Sequence, residues 1–145
     1  MIQLFYCSNS MTESEARKLA TRFGEDDLKM LGLPCSGKIT IPYLVKAFES
    51  GADGVVLCGC RPEDCRNLEG VLRAFKRGQA VEDLMEEVGL GKNRVLSISK
   101  SQGNLDEVVM KIKQFQNRLQ TTTVRATGPR TESIVGTPTR RENAA

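Results

Sequence analysis

Two hydrophobic periods alternate along the chain: short apolar runs suited to strands, and stretches in which apolar residues recur at helical spacing. Ile2 to Tyr6 is the first run and reads as a short buried strand. Thr12 with Glu15 then makes a capping-box signature, and Ala16, Leu19, Ala20 and Phe23 fall at i, i+3, i+4 and i+7, one face of an amphipathic helix ending near Phe23. Leu28 to Leu33 is the expected second strand, weakened by Lys29 and Gly32, and it stops at Pro34-Cys35. Thr40 caps the next helix, with Pro42 in its first turn and Ile41, Leu44, Val45 and Phe48 on its apolar face. Gly54 to Cys58 is a continuous apolar run suited to a central parallel strand, and it ends at Gly59-Cys60. Leu68, Val71, Leu72 and Phe75, then Val81, Leu84, Met85 and Val88, repeat the helical spacing, and Gly78 is expected to split or bend that region. Arg94 to Ser99 gives a fourth strand, and Leu105, Val108, Val109, Ile112, Phe115 and Leu119 give a last long helix.

The order β-α-β-α-β-α-α-β-α implies a parallel sheet covered by helices on both faces, because parallel neighbours need crossover connections. The expectation is a single-domain α/β fold, flavodoxin- or Rossmann-like, with four strands in the order 2-1-3-4. The domain spans residues 1–119. Residues 120–145 show no period and few apolar residues, too little to offset their ordering entropy, and are expected to form a disordered tail.

Charge narrows the function. The tail holds Arg125, Arg130, Arg140 and Arg141 against Glu132 and Glu142, so most of the formal net charge of +3 belongs to it. The folded part has little surplus with which to bind phosphates, which argues against nucleic acid as a partner. The opening Met-Ile-Gln-Leu-Phe-Tyr-Cys lacks the features of a secretory signal, and no segment has the ~20 apolar residues of a membrane helix, so the sequence reads as soluble, cytoplasmic and not membrane-bound. The absence of histidine excludes Cys2His2 zinc, Rieske-type centres, histidine-ligated haem and any Ser-His or Cys-His pair.

Four cysteines sit where three expected strands stop: Cys7, Cys35, Cys60 and Cys65. Ligands of open α/β sheets lie beyond the carboxyl ends of the strands, so the order 2-1-3-4 would gather these sulfurs at one edge. In a reducing compartment, clustered cysteines point to metal or redox chemistry rather than structural disulfides. Cys58, inside the apolar run, reads as an ordinary core residue. Three chemistries suit the other four: an iron-sulfur cluster, a structural zinc, or a reactive thiol at Cys60 or Cys65. Single cysteines from separate strands differ from the paired C-x-x-C elements usual for zinc. Helix starts after each strand, with Lys38, Arg61 and Arg66, would stabilise an anionic iron-thiolate group. Gly32 to Lys38 also matches the spacing G-x-x-x-x-G-K, but Ile39 stands where a phosphate loop needs Ser or Thr, and Pro34 removes an N–H from its middle.

Three segments carry a family resemblance: Leu33-Pro34-Cys35-Ser36-Gly37-Lys38, Ala47-Phe48-Glu49 with Gly51-Ala52-Asp53-Gly54-Val55, and Gly59-Cys60-Arg61-Pro62-Glu63-Asp64-Cys65. In these the chain resembles the delta subunit of methyl-viologen-reducing hydrogenase, over roughly residues 2 to 119. The resemblance implies an iron-sulfur domain carrying a 2Fe-2S cluster. It implies a non-catalytic electron-transfer subunit relaying electrons between a hydrogenase or formate dehydrogenase and a heterodisulfide-reductase-like flavoprotein. By the same resemblance Cys7, Cys35, Cys60 and Cys65 are the ligands, with Lys38 and Arg61 tuning the cluster; the alternative is a zinc-binding or cluster-free adaptor in the same complex. The family pattern opens with C-x-x-C, and here Ser10 stands at the second cysteine, while Arg61 replaces the histidine common after the third-segment cysteine.

Overall fold

The computed structural model describes residues 1–100 and 103–126, with side chains as far as Thr122. The expected tail beyond residue 126 lies outside the described residues. Four strands, β1 (Ile2–Cys7), β2 (Leu28–Leu33), β3 (Gly54–Gly59) and β4 (Val95–Ser99), pair in parallel in the order β2-β1-β3-β4. This is the expected topology, with β1 and β3 side by side at the point where strand order reverses.

Four α-helices cover the two faces: α1 (Glu13–Phe23), α2 (Ile41–Glu49), α3 (Gly70–Glu87) and α4 (Leu105–Ala126). The pleat sends Ile2, Leu4, Val56, Cys58 and Ile98 toward α1 and α4, where they pack with Leu19, Ile112 and Phe115. Phe5, Val55 and Leu57 point the other way, onto Leu44 of α2 and Val81 and Met85 of α3. Strand β3 is buried along its whole length, as a central parallel strand must be, whereas β2 is an edge strand with Lys29, Leu31 and Gly32 exposed.

Caps set the helix starts. Thr12 and Glu15 exchange both bonds of a capping box, and the Thr40 hydroxyl accepts from the Tyr43 amide. Gly78 does not split its region: α3 is one continuous helix, and Gly78 lies against the sheet, where a Cβ would come within 2.7 Å of Leu57 Cδ1. The buried stripe of α3 is therefore Val71, Ala74, Gly78, Val81 and Met85, and the expected apolar positions Leu68, Leu72, Leu84 and Val88 are exposed. α4 runs past Leu119 to Ala126, and in it the Thr121 and Thr122 hydroxyls donate to the carbonyls of Asn117 and Arg118, four residues earlier. The G-x-x-x-x-G-K segment is no phosphate loop, because Gly32 is a strand residue paired with Tyr6 and Ser36–Lys38 forms a short 3-10 turn, η1. Among the described residues no helix is long and apolar enough to cross a membrane.

Candidate metal centre

Strand ends deliver the cysteines. Cys7 is the last residue of β1, Cys35 follows β2 by two residues, and Cys60 follows β3 directly. A second 3-10 turn, η2 (Pro62–Asp64), then folds the chain back to bring in Cys65. All four gather at the first turn of α3. Cys7 and Cys60 are buried against Val71, with Cys65 packed on the same cluster. On the neighbouring side, a Cβ added to Gly70 would lie 2.7 Å from Cys35 Sγ and 3.6 Å from Cys65 Sγ, so those two sulfurs flank one point of the helix. Gly70 has no side chain where the sulfurs need room, a requirement the sequence did not announce.

Backbone N–H groups point at two of the sulfurs, Cys35 and Cys65. Cys35 Sγ accepts from the Gly37 amide at 3.3 Å. Burial pushes the Cys65 thiol up, but the amides of Val71, Asn67 and Gly70 and the Cys60 thiol outweigh it, and its pKa lies below the usual cysteine range. Cys60 moves the opposite way: burial raises it, opposed by the Asn9 side chain, and the neighbouring Cys7 and Cys65 raise it further. Of the two, Cys65 ionises first. The loop that turns the three amides toward Cys65 holds Leu68 at φ 54, an uncommon backbone for a leucine, with its side chain 84% exposed.

Other residues fix the loops that carry the sulfurs. Asn9 Nδ2 donates to the Asp64 carbonyl at 2.7 Å, tying the β1 loop to the Cys60–Cys65 loop. Arg77, from α3, donates to the carbonyls of Gly37 at 2.9 Å and Ile39 at 2.6 Å and clamps η1. The Ser99 hydroxyl donates to the Cys60 carbonyl at 3.1 Å. Asn9, Arg77 and Ser99 were missed in the sequence because each acts on a backbone carbonyl and belongs to no motif.

Ser10 is not part of the sulfur group. It is fully buried, and its hydroxyl donates to the carbonyls of Cys7 at 2.8 Å and Cys58 at 3.0 Å. Lys100, also buried, donates to the Ser10 carbonyl at 2.7 Å and pairs with Glu15 at 3.7 Å. Cys58 belongs to this neighbourhood, on the α1 and α4 face of the sheet, and burial raises its thiol to about 11, opposed by Ser10 and Lys100. It is a core thiol, as its place in an apolar run suggested. Lys38 and Arg61 are both exposed. Arg61 lies on the α4 side, where it adds to the effects of Lys111 and Asn104 in holding the Glu107 carboxyl low, against a modest desolvation.

All five cysteines are free. Among the described residues no three Cys, Asp or Glu side chains are drawn together tightly enough to hold one metal ion as they stand. The donor set nonetheless fits an iron-sulfur group, since it offers four thiols from one edge of the sheet, with backbone amides directed at Cys35 and Cys65. A cavity of about 800 Å³ lies elsewhere, beside the edge strand β2, lined by Phe5, Leu28, Met30, Tyr43 and Ala47 among others, and none of the cysteines borders it.

Known proteins with related sequences agree with this chemistry. The chain is 35% identical over 85 residues to the iron-sulfur subunit of the vhc F420-non-reducing hydrogenase of Methanococcus voltae, a match covering 57% of this chain and 59% of that one. It is 30% identical over 93 residues to the iron-sulfur subunit of the vhu F420-non-reducing hydrogenase of Methanocaldococcus jannaschii, covering 64% of this chain and 69% of the relative. It is also 32% identical over 79 residues to one subunit of the ferredoxin:CoB-CoM heterodisulfide reductase of Methanosarcina mazei, covering 53% of this chain and only 10% of that much longer one. The chain thus spans less than two thirds of the M. voltae protein. The family model of the methyl-viologen-reducing hydrogenase delta subunit matches residues 2–122, and the chain belongs to that family.

Proposed function

We propose that this chain is an electron-transfer subunit that holds a 2Fe-2S cluster on Cys7, Cys35, Cys60 and Cys65. The observation that carries this reading is the convergence of four thiols from three strand ends on the first turn of α3. The cluster would take up and pass on one electron at a time. The chain's own part is to supply four thiolates, to offset their charge with the amides of Gly37, Asn67, Gly70 and Val71, and to hold the loops through Asn9, Arg77 and Ser99. Lys38 and Arg61, exposed cations in the cysteine-bearing loops, act on the potential from a distance and through solvent.

The partners proposed are a hydrogenase or formate dehydrogenase as one neighbour and a heterodisulfide-reductase-like flavoprotein as the other. The relatives named above support this, in particular the stretch of similar sequence inside a much longer heterodisulfide reductase subunit. A cytoplasmic location belongs to the same proposal, because free clustered thiols need a reducing compartment.

Iron, zinc and acid-labile sulfide in anaerobically purified protein test the reading. The expected result is iron and sulfide in the proportions of a 2Fe-2S cluster, lost in Cys60→Ser and kept in Cys58→Ala. Zinc without sulfide would replace the electron carrier with a structural adaptor, and metal-free protein with one fast-alkylating thiol at Cys65 would favour thiol chemistry.

A further inference from the structure

Ser36 is 3% exposed, and among the described residues its Oγ is the one buried side-chain oxygen or nitrogen that has no hydrogen-bond partner. A hydroxyl left unbonded in the interior is destabilising, so a native structure that keeps one calls for an explanation. In the turn that carries it, the Ser36 carbonyl accepts from the Ile39 amide at 3.0 Å, and Cys35 caps the turn through its sulfur, while the hydroxyl has no partner. Its turn, η1, packs against α3 and the ends of β1 and β3, the elements that present Cys7, Cys60 and the Gly70 corner.

We propose that the Ser36 hydroxyl donates a hydrogen bond to a sulfur of the bound iron-sulfur group, which makes Ser36 a positioning residue that sets the potential without ligating metal. This rests on the iron-sulfur reading above. A donor to sulfur stabilises the more negative, reduced form, so its presence raises the potential.

Full-length Ser36→Ala and Ser36→Thr are purified anaerobically beside the wild type, iron and sulfide are counted, and the potential is read by EPR-monitored redox titration. Ser36→Ala is expected to retain its iron and to show a reduced-to-oxidised ratio about tenfold lower at a fixed poise, ~59 mV for a one-electron couple, with Ser36→Thr restoring most of it. Loss of iron in Ser36→Ala but not in Ser36→Thr would also support the proposal, since the hydroxyl is the group the two variants do not share. An unchanged potential at full iron content overturns it. In metal-free protein the alanine should leave the melting midpoint unchanged or raised, because no bond is lost. A lowered midpoint there would assign the hydroxyl an ordinary structural partner and also overturn the proposal. Wild-type protein without iron and sulfide refutes the iron-sulfur reading itself, a failure seen before any Ser36 variant is compared.

Discussion

Gly70→Ala separates the sulfur group from the fold that carries it. The added Cβ would lie 2.7 Å from Cys35 Sγ, whereas its 3.6 Å approach to Cys65 Sγ is ordinary contact. Nonbonded heavy atoms settle at about 3.5–4.0 Å, so the Cys35 sulfur must retreat by roughly 1 Å. Metal-thiolate distances tolerate only about ±0.2 Å. Cys35 is partly exposed and its sulfur can swing away about one bond, so the fold itself gives little, within about 1 kcal/mol. Gly78→Ala, in the same helix, provides the contrast. Its Cβ would meet Leu57 Cδ1 at 2.7 Å and Val95 Cγ1 at 3.4 Å inside the core. Overpacking there costs about 1–3 kcal/mol, offset by about 1 kcal/mol of helix propensity. Urea melts of metal-free protein and iron analysis of anaerobic protein should therefore move in opposite ways: Gly70→Ala loses iron and keeps its stability, and Gly78→Ala keeps iron and melts earlier. Wild-type iron and sulfide in Gly70→Ala would refute Cys35 as a ligand in the position it occupies.

Three further outcomes follow from the bonds around the site. Arg77→Met removes the donor to the Gly37 and Ile39 carbonyls, which should cost about 1–3 kcal/mol in a urea melt and lower iron content, with Arg77→Lys intermediate in both. Ser10→Cys places a weak donor where a hydroxyl serves two carbonyls, so it should lower stability by about 1–3 kcal/mol and leave iron content unchanged; a gain of iron or an altered visible spectrum would show position 10 reaching the metal. Glu15 is held below its reference pKa of 4.5: desolvation opposes this, but the amides of Thr12 and Gly103 and the Lys100 charge outweigh it. A lowered folded-state pKa stabilises the protein fully above about pH 4.5, and that contribution is lost as the pH falls through the folded value. The stability gap between wild type and Glu15→Gln, measured by melts from pH 7 to pH 3, should therefore be widest near neutrality and close in acid.

Strand order, the helices on each face and the edge at which the cysteines meet were legible because hydrophobic period and parallel topology leave few alternatives. The misreadings in the α3 region share a cause. Leu68 and Leu72 fit a helical apolar stripe by spacing, yet α3 turns Ala74 and Gly78 inward so that it can lie close on β3, and close approach is a property of the pair of elements that neither sequence shows alone. Gly78, expected to split or bend its region, is the residue that permits that contact. The end of the last helix was placed at Leu119 because apolar periodicity stops there, while the helical backbone runs on to Ala126. Within the site, the four sulfurs were readable as strand-end cysteines, but the clamps at Asn9 and Arg77, the bare corner at Gly70 and the turned-away Ser10 depend on carbonyls and spaces that only the folded backbone defines.

The EPR spectrum of the dithionite-reduced, anaerobically purified chain examines the shared-cluster arrangement most directly. Four thiolates around a 2Fe-2S cluster should give a signal of about one spin per chain in the wild type, absent from Cys7→Ser and from Cys35→Ser, whose residues come from separate strands. An EPR-silent wild type, or a signal that survives unchanged when either cysteine is replaced, would mean that the four sulfurs do not share a cluster.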